Sequence, residues 1–186
     1  AKQLTLHSLE AELEFSVKKL RKLLDSYLFH RAANLHQRPQ LDRLLQCPPI
    51  GHCVLLVDFK ELLTLPIAQV EISEMFYATW RFEVCTFGGV LVEHAPTSTA
   101  DAPQVETRYI PVFSSILDHT ALRANQLIDV CLSLRKDHVP LRALHIVADA
   151  GPHFRSYESI HHHLVGLPQK HGVACYCHWG VEKHMK

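Results

Sequence analysis

Cys53-Val54-Leu55-Leu56-Val57-Asp58 and Leu144-His145-Ile146-Val147-Ala148-Asp149 are two short apolar runs, each closed by an aspartate. Runs of this length, rich in branched side chains, read as central strands covered on both faces. A carboxylate at the end of such a strand is badly placed for folding, because burying it unpaired costs roughly several kcal/mol. Side chains at the ends of adjacent strands converge, and two converging carboxylates repel unless a cation sits between them. Glu182, in Gly180-Val-Glu-Lys-His-Met-Lys186, adds a third acid. Hard oxygen donors of this kind select magnesium or manganese over zinc. The competing reading is that each aspartate caps the turn or helix behind it. Three acids in three such settings favour the metal site.

Outward from these runs, the order of elements is the next signal. Ser8 to about His30 reads as a helix, with Leu9, Leu13, Val17, Leu20, Leu24 and Leu28 at spacings of three and four and Ser8 as N-cap. That stripe reads as core or partner-helix packing. A second short helix is expected over 38–45, broken by Cys47-Pro-Pro-Ile-Gly51. Residues 1–50 would then form a helical arm on a core of residues 51–186. Strand one covers about 53–60. Residues 76–87 read as a long strand with Trp80 in the core, turning at Gly88-Gly89 into a third strand over 90–94. A polar, proline-bearing loop over 95–103 follows, with pairing extended over 107–113. A helix is expected over 118–136 with Asp118 as N-cap, then the strand ending at Asp149, a helix over about 154–164, a strand over 173–177 and a helix opening at Glu182. A mixed sheet flanked by helices is the natural α/β architecture, with ligands at the carboxyl ends of its parallel strands.

At 186 residues and 47% apolar content the chain suits one domain with a sizeable core and room for a helical appendage. No apolar run is long enough to cross a bilayer, and the first residues lack the apolar stretch of a signal peptide. With no starting Met, the sequence reads as a piece of a longer protein. Lys and Arg number 19, as do Asp and Glu, so the overall field gives no support to nucleic-acid binding, although net charge averages over faces. Six scattered cysteines without a secretory signal read as reduced thiols of a cytosolic or nuclear protein. Cys175-Tyr-Cys177-His178, with His184, has one residue between its cysteines where zinc sites use two to four. It reads instead as a strand with both thiols on one side, packed against the core.

The order of elements, with Asp58 on strand one, Asp149 after strand four and Glu182 after strand five, resembles the ribonuclease H-like catalytic core of DDE transposases and retroviral-type integrases. Asp149-Ala-Gly-Pro-His-Phe-Arg-Ser156 is similar to the Asp-Asn-Gly-x-x-Phe-x-Ser stretch of that family, and the segment 180–186 to its Gly-Val-x-Glu-x-x-Asn-x-x-Lys stretch. The 32 residues between Asp149 and Glu182 are close to the family's usual gap. Ala150 departs from the family's Asn. Only four residues follow Glu182, so the third acid is either Glu182 or one beyond Lys186, in which case the core is truncated. The resemblance implies DNA as partner, hydrolysis at an element's end followed by attack of the freed 3′-hydroxyl, and multimers in the full-length protein. It implies a nuclear location, or a cytoplasmic one for a prokaryotic or viral source. Asp58 would bridge two Mg²⁺ or Mn²⁺ ions, with Asp149 on one and Glu182 on the other.

Lys60, Arg155, Lys183 and Lys186 lie close in sequence to the acids and are candidate phosphate contacts, or else solvated surface charges. His153 and His178 are candidates for orienting water or phosphate. His161, His162 and His163 point in different directions on a helix and would not chelate one ion together. Two other readings stand beside the transposase: a ribonuclease H-like nuclease without strand transfer, and a transposase-derived module that has lost catalysis and now binds protein or DNA.

Overall fold

The computed structural model describes residues 6–60, 62–65, 82–99, 101–135 and 139–180. Its elements are helix α1 (Leu6–Gln46), strands β1 (His52–Phe59), β2 (Leu63–Leu65), β3 (Phe82–His94) and β4 (Val105–Ser114), helix α2 (Ala121–Ser133), strand β5 (Ala143–Ala148), short helices α3 (Pro152–Arg155) and α4 (Tyr157–His161), a π-helical turn (His162–Gly166), helix α5 (Leu167–His171) and strand β6 (Ala174–Trp179). Contacts divide the chain into Ala1–Gln40 and Leu41–Lys186.

In the larger unit the strands run β4-β3-β1-β5-β6, with β2 on the early part of β3. β3 is antiparallel to β1 and β4; β5 and β6 are parallel to β1 and to each other. This is the mixed sheet flanked by helices that the order of elements predicts. Alternation decides which side each residue faces. Cys53, Leu55 and Val57 of β1 and Leu144, Ile146 and Ala148 of β5 join Leu127, Ile128 and Cys131 of α2, Phe154 and Leu167 in the main core. Val54, Val92 and Val147 face the other way and are covered by Leu41, Leu44 and Leu45. All six residues of β5 are buried, as expected of a strand with both faces covered.

The turn expected at Gly88-Gly89 does not form: β3 runs straight through both glycines, paired with Asp58 and Val57 on one side and Pro111 and Ile110 on the other. Gly89 answers a packing need. A Cβ on Gly89 would lie 2.7 Å from Cys131 Sγ, so only a bare α-carbon lets α2 approach the sheet here. Gly89→Ala is expected to lower stability by about 1–3 kcal/mol, the usual cost of overpacking a core, read by thermal unfolding. Residues 76–81, including Trp80, lie outside the described residues. Thr107–Phe113 is strand, within β4. This strand closes the sheet on its side among the described residues, and it carries the exposed Pro111 between the exposed Tyr109 and Phe113.

The N-cap of α2 is Thr120, whose hydroxyl accepts from Arg123 N, rather than Asp118. Asp118 acts one step earlier, accepting from the amide and hydroxyl of Thr120. The two helices expected before Gly51 are one continuous helix, with Pro39 inside it and Ser8 within it rather than capping it. Leu9, Leu13, Val17, Leu20, Leu24 and Leu28 are all exposed.

Candidate functional site

β1 and β5 are parallel and in register through Val57↔Ala148. Asp58 and Asp149 are the next residue on each strand path, so they stand side by side at the carboxyl edge, where neighbouring strands are about 4.8 Å apart. Each side chain keeps about a third of its surface open, 29% for Asp58 and 35% for Asp149. Both are held in place. Lys60 Nζ lies 2.7 Å from Asp58 Oδ2, and the Lys60 amide donates to Thr86 O. Asp149 Oδ1 accepts from Gly151 N at 2.9 Å, closing a tight turn into α3. A Cβ on Gly151 would meet Asp149 Oδ1 at 2.9 Å and His153 Cε1 at 2.7 Å, so the turn depends on a glycine.

His153, on α3, brings Nε2 to 4.0 Å from Asp149 Oδ1. Burial holds its pKa below the ordinary value; Asp149 and Asp58 act the other way, and His119 adds to the lowering. At neutral pH His153 is therefore an uncharged imidazole, able to donate or accept one hydrogen bond. Phe59 is the floor of this corner: His119 stacks on it at 4.4 Å, and the edge of His153 meets it at 4.9 Å. His119 Nε2 in turn lies 3.3 Å from Cys85 Sγ. The corner thus joins two carboxylates, one ammonium, a neutral imidazole and an apolar floor.

Of the basic candidates, Lys60 is paired with Asp58 and Arg155 is exposed at the end of α3. Glu182, Lys183 and Lys186 lie outside the described residues, as does His184. Among the described residues no group of three or more His, Cys, Asp or Glu side chains is arranged to hold a metal ion. Two adjacent carboxylates are nevertheless the donor chemistry that suits Mg²⁺ or Mn²⁺. His178 does not reach this corner. Its Nε2 is 2.9 Å from His145 Nδ1, and His145 Nε2 is 2.9 Å from His52 Nδ1, a row of imidazoles across β1, β5 and β6.

That row went unforeseen, as did a second polar cluster. Glu93 on β3 is 5% exposed and lies between two guanidiniums, Arg108 at 2.7 Å and Arg135 at 3.0 Å. A histidine inside an otherwise apolar strand, and a glutamate closing Val90-Leu-Val-Glu93, were the signals available in the sequence.

No family model matches the chain, and no curated protein matches it. Among solved structures it is similar to a Mos1 transposase paired-end complex with left transposon end, at 14% identity and a TM-score of 0.32. The match covers 77% of this chain and 38% of that one, so the chain spans well under half of that protein. No described helix is long and apolar enough to cross a membrane.

Proposed function

We propose that this chain is a DDE-type transposase or integrase catalytic domain that cuts and joins DNA strands with Mg²⁺ or Mn²⁺. The observation that carries the reading is the parallel register of β1 and β5, which sets Asp58 and Asp149 side by side at the carboxyl edge of the sheet. Their carboxylates would hold the cations, with Glu182 or a later acid completing the set. When bound, the ions supply electrostatic stabilisation to the attacking and leaving oxygens of a phosphodiester. The chain itself positions and neutralises. Lys60 balances Asp58 and is placed to turn to a DNA phosphate, and Arg155 offers a second phosphate contact. His153, uncharged and beside Asp149, orients water or a phosphate oxygen. In the full-length protein the domain works as a multimer, in the nucleus or in the cytoplasm of a prokaryotic or viral host.

One observation favours a second reading, a transposase-derived module that binds DNA or protein without catalysis. The Lys60 ammonium, 2.7 Å from Asp58, is how a core without a cation would settle that acid. Titration calorimetry with Mn²⁺ and Mg²⁺, in the presence of DNA, separates the two. The catalytic reading expects millimolar or tighter binding that disappears in Asp58→Asn and Asp149→Asn, together with loss of strand cleavage. No cation binding, with Asp58→Asn as stable as the wild type or more so, selects the binding module. Cleavage without joined products would select a nuclease.

A further inference from the structure

We propose that Asn125, Asp129 and His162 form a binding site for a divalent transition-metal ion of the zinc type, set in a groove between α2 and the π-helical turn. The groove has a volume of about 410 Å³, is also lined by Leu122, Gln126 and Glu158, and shares no lining residue with the corner that holds Asp58 and Asp149. Asn125 and Asp129 are four residues apart on α2, so their side chains lie on the same helix face, one turn above the other. Across the groove the π-turn presents His162, whose Nε2 is 3.7 Å from Asp129 Oδ1. Of the three consecutive histidines it is His162 that meets this acid; His163 is fully buried.

Three atoms in this groove are unmet. Asn125 Oδ1, Asp129 Oδ1 and His162 Nε2 are each buried, and none has a hydrogen-bond partner among the described residues. Asn125 as a whole is only 5% exposed. Buried polar atoms without a partner are costly, so three of them lining one groove point to a ligand. With the imidazole proton on Nδ1, each of the three offers a lone pair, and what satisfies all of them together is a cation. An amide oxygen, a carboxylate oxygen and an imidazole nitrogen make a mixed donor set that suits zinc and its neighbours better than magnesium. At the usual bond lengths of about 2.0–2.2 Å, an ion bridging Asp129 Oδ1 and His162 Nε2 would subtend an angle of roughly 120° between them, close to tetrahedral. Asn125 is the third donor, and water takes the fourth position, as in zinc sites that stay open to a substrate.

The groove already attracts a cation. Lys170 Nζ, on α5, lies 3.1 Å from Asp129 Oδ1, and its side chain is 54% exposed, so it is free to swing into water when a metal ion takes its place. Glu158 adds a second negative charge to the lining. A Cβ on Gly166 would come within 3.3 Å of His162 Nδ1, so the glycine that ends the π-turn leaves the ring its room. π-Turns of this kind are frequent at functional sites, and this one sets a ligand in place.

The test titrates the full, isotope-labelled chain with zinc sulfate at neutral pH and follows the histidine ring nitrogens by NMR. The His162 signals, assigned by their absence from His162→Gln, are expected to shift with the first equivalent of zinc, and the affinity is read from that same shift. Asp129→Asn should weaken binding by about tenfold or more, and Asn125→Ala, which removes a neutral donor, by less. Lys170→Met removes the competing ammonium and should tighten binding a few-fold, a change opposite in sign to any loss of folding. His162 signals that stay in place overturn the proposal, whether zinc binds elsewhere, as at the row of His52, His145 and His178, or nowhere. An affinity unchanged in Asp129→Asn overturns it as well.

Discussion

Glu93→Gln is expected to lower the stability of the chain by about 3 kcal/mol or more, the largest loss from any one substitution considered. The carboxylate is the shared anion of two guanidiniums whose side chains are only 22% and 12% exposed, Arg108 and Arg135. Each guanidinium also ties down backbone: Arg108 Nη1 donates to Leu134 O, and Arg135 Nη2 donates to Val139 O. Glu93 therefore fastens β3 and β4 to the segment that leaves α2. Glutamine keeps the shape and removes the charge, leaving two cations facing each other with little water. Breaking a buried ion pair from one side costs about 3–5 kcal/mol, whereas replacing the whole cluster with packed apolar residues is often close to neutral. Urea denaturation of Glu93→Gln measures the loss. A change below about 1 kcal/mol would mean that the two arginines swing out to solvent and that the cluster does not fasten these strands.

Acid should destabilise the fold earlier than the carboxylates alone would require. His145 is 8% exposed, and its pKa is lowered to about 4, mainly by burial, with His178 and His52 contributing. In the unfolded chain a histidine titrates near 6.5. As pH falls from about 6.5 towards 4, the unfolded chain binds a proton that the folded chain refuses, so stability drops across that window and is intact above it. At about 1.4 kcal/mol per unit of pKa difference, His145 alone contributes a loss of roughly 3 kcal/mol by pH 4. His52 and His178 shift in the same direction and add to it. Denaturation midpoints measured from pH 8 to 4 should therefore fall more steeply for the wild type than for His145→Gln, in which glutamine can still bond both neighbours. Parallel curves would show that the row of imidazoles accepts its proton without strain.

The strands and helices that could be recognised in the sequence are those whose burial follows a local rhythm. β1 and β5 are runs of branched apolar residues, and α2 places Leu127, Ile128 and Cys131 on one flank. The place of Asp58 and Asp149 at the ends of two such runs was visible in the same way. What local rhythm does not carry is the identity of the neighbour. Gly88-Gly89 has the composition of a turn, and only the approach of Cys131 explains why it is strand. His52 and His145 are 93 positions apart and meet only because β1 and β5 are adjacent. Glu93 looks like an edge charge until Arg108 and Arg135 are brought to it. The leucines of α1 have the spacing of a core-facing stripe, but spacing alone does not say which surface covers them.

β4 has a consequence for how copies of this protein tolerate one another. Among the described residues it borders the sheet, so alternate backbone groups along its ten residues point away from β3, and a stray strand from another molecule could dock there. Tyr109 and Phe113, both exposed, would make that docking sticky. Pro111 sits between them with no N–H to offer and a ring in the path of an incoming chain. It divides the open border into two stretches too short to template a foreign strand, and so guards a crowded solution against growth of the sheet from molecule to molecule.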